Sequence, residues 1–552
     1  GAGSTLRHAI LEHGGSGSYG MVQTYANGTN VTIENTSFRN SSNYGLYMNG
    51  NAEPVLGSNS YLDNTSYPIY IADGRSINAL DSTSTFSGNG HSKVFWAAGT
   101  VSTDSQIADP GIPIHVNHHV RISSGATLTV DPGVNLDITS HSTVYVGYNS
   151  AGTLVADGTA GNEILFTGNS AGPWNRVYFT QHAGPGSSIR HAIIENGGRS
   201  DGLVQVYANG TNVTIENTTF RNSADYGLFI SGTAEPVIGN NTYQDNSSYP
   251  IYCGLGRPVN ALDTTSTFTG NGDNRVYWQG STVSSDTTIN DPGIPIWVGA
   301  NVAISSSATL TVNPGVEFHM PSNLLFYVGY NSTGTLDAQG TQDNPIIFTS
   351  GQETRAPGDW YGVYFTQHAT AASILKYAIV EYGGQSNQYG SVQIYHTSPT
   401  IERCTIRHSF GDGIRVNGSA AVPTIACSTL TANSIGIQTQ GNTLPLIHDN
   451  VIQGNATYGL YNASASAQVN AEQNYWGAAG GPGTSGADLV GGMVDFDPWQ
   501  TEPAPCTIPL DASFSAAPTS GCEALSVDFT DGSTGAVDTW EWDFDGNGTV
   551  DS

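Results

Sequence analysis

Short alternating runs of apolar and polar residues, each closed by Gly, Asn or Pro, fill most of the chain; Thr400 to Ile406 is one of them. Alternation of period two sends successive side chains to opposite faces, so the runs predict strands separated by turns. Amphipathic helical spacing is essentially absent. The runs also keep a beat: Gly413-Ile414, Gly436-Ile437 and Gly459-Leu460 recur every 23 residues. Pro399-Thr400-Ile401 matches Pro423-Thr424-Ile425, and Pro445-Leu446-Ile447 follows, at intervals close to that beat. A repeat of this length, holding two or three short strands, predicts one coil of a β-solenoid.

A longer period lies over the short one. Tyr25 to Asn35 returns unchanged as Tyr207 to Asn217, and Asp109-Pro110-Gly111-Ile112 returns at Asp291 to Ile294. Val177 to His182 returns at Val363 to His368, after an insertion around Arg355 to Asp359. The cycles span about 1–185, 186–371 and 372–500, the third being partial. Ile33, Phe38, Ile215 and Phe220 are expected to stack inward between coils. Asn35 and Asn217 are expected at corners, where Asn tolerates left-handed geometry. Asp131-Pro132-Gly133 and Asn313-Pro314-Gly315 suit type II turns. The expected array of ~21 coils, rising ~4.8 Å each, gives a rod on the order of 100 Å long.

Charge narrows the partners. Asp and Glu total 45 against 16 Lys and Arg, a formal charge of −29. Such a surface excludes nucleic acid, which needs clustered cations, and disfavours anionic membranes. No apolar run is long enough to span a bilayer. The chain opens at Gly1 in mid-pattern, without Met or signal peptide, and stops at Ser552 inside an expected strand module. Both ends are therefore read as cuts in something longer. Of five cysteines, Cys404 and Cys427 lie about one coil apart, a separation that suits a bridge between stacked strands. Cys506 and Cys522 bracket the start of the last segment and form a second candidate pair, leaving Cys253 over. Free buried thiols are the alternative for each.

At Ile374 to Gly384, and at the closing residues Asn474-Tyr475-Trp476-Gly477, Gly480-Gly481-Pro482-Gly483 and Val494 to Trp499, the chain resembles right-handed parallel β-helix proteins. The likeness is to the surface-protein branch of the pectate-lyase-like superfamily. It covers roughly residues 1–500, and is specific for fold but not for function. After a linker over 501–511, residues 512–552 resemble the start of a PKD domain, an Ig-like β-sandwich, through Phe514-Ser515-Ala516, Leu525 to Asp531 and Trp540 to Phe544. The resemblance implies an all-β chain on the cell surface or outside the cell. It also implies a spacer or contact module without catalysis of its own.

Candidate chemistry is thin. Asp543, Asp545, Asn547 and Asp551 set oxygen ligands at alternate positions around Gly546 and Gly548, the pattern of a calcium-wrapping loop; a solvated turn is the alternative. Glu12, Glu195 and Glu381 occupy one place in three cycles, beside His8, His191 and Tyr377. Triplication points to scaffold rather than to an acid–base centre. His115, His118 and His119 are replaced by Trp297, Ala300 and Asn301 a cycle later, which favours surface histidines over a metal site. Glu353, Arg355 and Asp359 on the insertion form the nearest approach to a charged catalytic cluster, with a plain surface loop as the alternative. Trp96, Trp174, Tyr178, Trp278, Trp297, Trp360 and Tyr364 recur at equivalent places, as packing or, if exposed, as platforms for sugar rings. Sequons at Asn27, Asn30, Asn35, Asn64, Asn209, Asn212, Asn331, Asn417, Asn455 and Asn462 are candidate glycan sites.

Repetition with little chemical differentiation points to an extracellular structural or adhesive protein. Its partners would be further copies in a filament or sheath, or cell-surface glycans and proteins. A secreted polysaccharide lyase or glycoside hydrolase with an accessory module is the alternative.

Overall fold

The computed structural model describes residues 3–25, 31–49, 52–72, 75–168, 172–207, 213–232, 234–255, 258–386, 388–419, 421–504, 506, 514–517 and 527–531. Up to Trp499 the described chain winds as a parallel β-solenoid of about 19 turns. At ~4.8 Å per turn its axis is on the order of 90 Å long. The turns are fewer than the beat of 23 predicts, because some coils carry long loops: Val155 pairs with Ser188 and Asp337 with Ile374. Two short 3-10 helices, Arg75–Ala79 and Pro258–Ala261, are the helices among the described residues.

Strands of two to six residues stack in register, like on like. Ile33 sits over Leu6 and under Leu56, and Phe38 over Leu11 and under Tyr61. Inward side chains fuse into one continuous core, in which Ile33, Phe38, Ile215 and Phe220 are fully buried as expected. Asn35 and Asn217 take positive φ at the corners, as do Gly133 and Gly315 in the expected turns.

Sheets are handed on along the rod. A four-stranded sheet ends at Thr85–Ser87, and a 15-stranded one starts at Gly99–Val101, in the same coil as the first 3-10 helix. The pattern recurs a cycle later, where the 11-stranded sheet ends at Thr267–Thr269 and a nine-stranded one starts at Ser281–Val283. At each hand-over an asparagine splices the break. Asn78 accepts from Gln106 N and donates to Glu53, and Asn260 does the same between Thr288 and Glu235.

Corner carbonyls and amides that strands leave unpaired are satisfied by buried asparagine ladders. Ser428 N donates to Asn450 Oδ1 and Asn450 N to Asn474 Oδ1, while Asn450 Nδ2 donates to Ile425 O. A second ladder runs Ser409, Asn433, Asn455 and Asp488. Beyond the solenoid, Phe514–Ala517 and Asp528–Asp531 pair antiparallel.

The cysteines correct the expected pairing. Cys427 is bonded to Cys506, with Cα atoms 5.6 Å apart, so neither Cys404–Cys427 nor Cys506–Cys522 forms. Register is the reason. Thr400 pairs with Thr424, a step of 24 rather than 23, so Cys404 stands over Ser428 and points inward, whereas Cys427 sits at a left-handed corner. Cys253 and Cys404 are free and buried, and burial pushes the Cys404 thiol up to about 12.

Candidate functional site

Every second residue of a strand faces outward, so in-register stacking turns sequence alternation into columns that run along the rod. The outer column of the 15-stranded sheet runs through Tyr145, Tyr178, Gln205, Phe229, Tyr252, Tyr277, Trp297, His319, Thr349, Glu381 and Arg407. Its aromatic members are half-buried. Phe229 meets Tyr252 edge-on at 4.9 Å and Tyr252 stacks on Tyr277 at 4.6 Å. Tyr226 and Tyr249 flank them at 4.7 and 5.1 Å. The Arg275 guanidinium caps the ladder, 4.2 Å from the Trp297 ring. Burial pushes the Tyr249 hydroxyl up to about 12 and those of Tyr226 and Tyr252 upward, which keeps them protonated and able to donate.

The recurrent aromatics therefore divide. Trp96, Trp174, Trp278 and Trp360 are fully buried, while Tyr178, Trp297 and Tyr364 lie on outer faces. The direction of each side chain follows from strand parity, which repetition alone does not reveal.

Ionisable groups stand at both ends of the ladder. At one end Arg176 bonds Asp201 and donates to Gln205 at 2.6 Å. Asp225 beside them is pushed up to about 6 by burial and by the Asp201 charge, against the pull of Arg176. About four coils away, ~19 Å along the axis, His319 Nε2 bonds Glu317 at 2.6 Å. Arg355 reaches Glu317 at 3.7 Å and Glu381 at 3.6 Å. Glu381, almost fully buried, is held by Arg407 at 2.7 Å and Thr349 at 2.8 Å. The hydrogen bond from His319 holds the Glu317 carboxyl below its ordinary range, burial opposing it and Arg355 helping.

The expected cluster on the insertion is thus assembled differently. Arg355 joins Glu317, His319 and Glu381, whereas Asp359 closes the loop through Ser350 and Ala356 N, and Glu353 stays in solvent. Glu317, His319, Asp201 and Asp225 carried no signal in the sequence, since each borrows its setting from a neighbouring coil. The triplicated glutamates are ladder partners: Glu12 pairs with Arg39, Glu195 with Arg221 and Glu381 with Arg407. His115 pairs with Asp137, which Lys93 also contacts, while His119 accepts from Thr143 N. Among the described residues no group of three His, Cys, Asp or Glu is placed to hold a metal. Asp543, Asp545, Asn547 and Asp551 lie outside the described residues, as do Cys522 and the sequons at Asn27, Asn30, Asn209 and Asn212.

Three other sequon asparagines have their side-chain amides engaged within the fold. The side-chain amides of Asn64, Asn455 and Asn462 are committed to Phe38 O, Leu430 O and Met493 O. Asn35 and Asn331 are exposed and Asn417 is half-buried.

On the nine-stranded sheet a second acid is perturbed. Asp412, 3% exposed, pairs with Arg415 at 3.3 Å, and Gln438 donates to it when its amide nitrogen is turned inward. Burial pushes the carboxyl up to about 7, against the pull of Arg415. Because the folded chain holds this proton more tightly, the group's contribution to stability is full below about pH 4 and is lost as pH rises through 7. Asp412→Asn is expected to be more stable than the parent at pH 8 by on the order of 2–4 kcal/mol, the gap closing at pH 4. Urea midpoints at the two pH values check this, and an equal gap at both would refute it.

A family model described as pectate-lyase like beta helix domain matches residues 281–409, and one described as right handed beta helix region matches residues 362–489. No curated protein matches the chain. Residues 281–489 are thus similar to right-handed β-helix domains, with the pectate-lyase-like type matched over 281–409.

Proposed function

We propose that this chain is an extracellular cell-surface protein, structural and adhesive in kind, whose 15-stranded face holds an extended polysaccharide strand. The observation that carries the reading is the outer column from Phe229 to Trp297, flanked by Tyr226 and Tyr249 and bounded by charged groups at each end. Ring edges and protonated phenols offer apolar contact and hydrogen bonds together, the combination a sugar needs. The acidic remainder of the surface keeps such a rod hydrated and dispersed. A PKD-type module after residue 512, calcium on Asp543, Asp545, Asn547 and Asp551, and end-to-end assembly into filaments belong to the same reading. The antiparallel pair Phe514–Ala517 with Asp528–Asp531 accords with the first of these.

The test is titration of the full chain against a panel of neutral and acidic polysaccharides. The double variant Tyr252→Ala, Tyr277→Ala is expected to bind about tenfold more weakly, a loss of about 1.4 kcal/mol. Undiminished binding would remove the ladder from the reading. A second reading, a polysaccharide lyase or hydrolase, is favoured by the perturbed Asp225 beside Asp201. Shortened chains in the same assay would establish it, and Asp225→Asn should then abolish them.

A further inference from the structure

Past its last coil the chain turns back along the rod. Gln473 N donates to Pro498 O at 2.6 Å and Gln500 N to Asn474 O at 3.0 Å, beside the final corner. One coil earlier, Gln500 Nε2 reaches Asp449 Oδ1 at 2.8 Å. A further coil back, Cys506 is bonded to Cys427, and in the coil before that Arg403 donates to the Cys506 carbonyl. Arg403, Cys427, Asp449 and Gln473 are corner residues of successive coils, joined by Arg403 N to Ala426 O, Cys427 N to His448 O and Asp449 N to Gln473 O. Pro498 to Ala504 together with Cys506 therefore form a strap laid over the corners toward the N-terminal coils, with one covalent fastening among the described residues.

Coils of a solenoid touch only their neighbours, so a load at one end peels them one at a time. The terminal coils here are poorly placed to resist. Their last pair, Val469–Asn470 with Val494–Asp495, has two residues a side. Tension arriving from beyond Cys506, however, meets the bridge before it meets those strands.

We propose that the Cys427–Cys506 bridge is a mechanical staple, which carries tension from the C-terminal side directly to the coil of Cys427 and takes the last coils out of the load path. The segment it shields is long, since the two cysteines are 79 residues apart in sequence. Its formation needs an oxidising compartment, and in that respect alone it rests on the extracellular reading.

The test is force spectroscopy on the full chain, held by handles at its two ends, before and after dithiothreitol. The double variant Cys427→Ser, Cys506→Ser is pulled alongside. The oxidised parent is expected to release about 270 Å less chain, from 79 steps of ~3.4 Å. Reduction or the double variant should add that length as a new step at lower force than any other. Equal lengths and equal first-rupture forces in the oxidised and reduced chains would overturn the proposal. So would peptide mapping that finds the two cysteines unlinked in protein exported through an oxidising compartment. Polysaccharide binding by the double variant should match the parent, which separates this test from that of the outer column.

Discussion

Replacing Trp360 by alanine is expected to lower the unfolding free energy by about 4–5 kcal/mol, the largest loss from any single side chain considered. The indole is fully buried, so truncation removes its transfer free energy and leaves a cavity between coils. Its Nε1 also donates to Glu381 O at 2.9 Å, and the orphaned carbonyl adds about 1 kcal/mol. Trp174 does the same for Glu195 O a cycle earlier, so Trp174→Ala should cost a similar amount. Because coils are coupled mainly to their neighbours, the damage should appear as an early unfolding step confined to one stretch of the rod. Denaturant titration followed by fluorescence and by circular dichroism checks it, with Glu353→Ala as the exposed control. A loss under about 1 kcal/mol would show that the coil closes around the gap.

Asn450→Leu should be nearly as damaging, although it places a larger apolar side chain in an interior position. Asn450 is fully buried and exchanges bonds with Ser428 N, Ile425 O, His448 O and Asn474. Leucine makes none of these bonds and strands at least two buried backbone groups, at about 1–3 kcal/mol each. A net loss of about 3 kcal/mol is expected from urea unfolding. Asn331→Leu, at an exposed corner of positive φ, should cost only about 1 kcal/mol, the backbone penalty alone. Equal losses at the two sites would mean that the ladder is decorative and that corner geometry alone matters.

Much of the scaffold was readable because local chemistry repeats. Alternation around Ile33, Phe38, Ile215 and Phe220 reports burial directly, since side-chain direction in a strand has period two. Asn35 and Asn217 report corners because Asn tolerates positive φ at little cost, whereas Arg403 and Cys427 take the same geometry without any such signal. The candidate site was hardly legible. Arg355 and Glu381 stand out as charges in the sequence, but Glu317 and His319 meet them only after a strand and a long loop have been wound between them.

The cysteines mark the same limit more sharply. Cys404 and Cys427 are 23 apart, the average beat, yet the coil between them is one residue longer, and one residue reverses the face. The partner of Cys427 lies on a strap that no periodicity describes. By itself, then, the sequence determined the solenoid, its inward residues and its corners, because these depend on the alternation and turn chemistry of neighbouring residues. Tertiary structure alone decided the sheet hand-overs, the outer aromatic column, the charged groups at its ends and the Cys427–Cys506 bridge. Each of those depends on which residue of one coil stands above which residue of the next, and that register is set by the length of every loop between them.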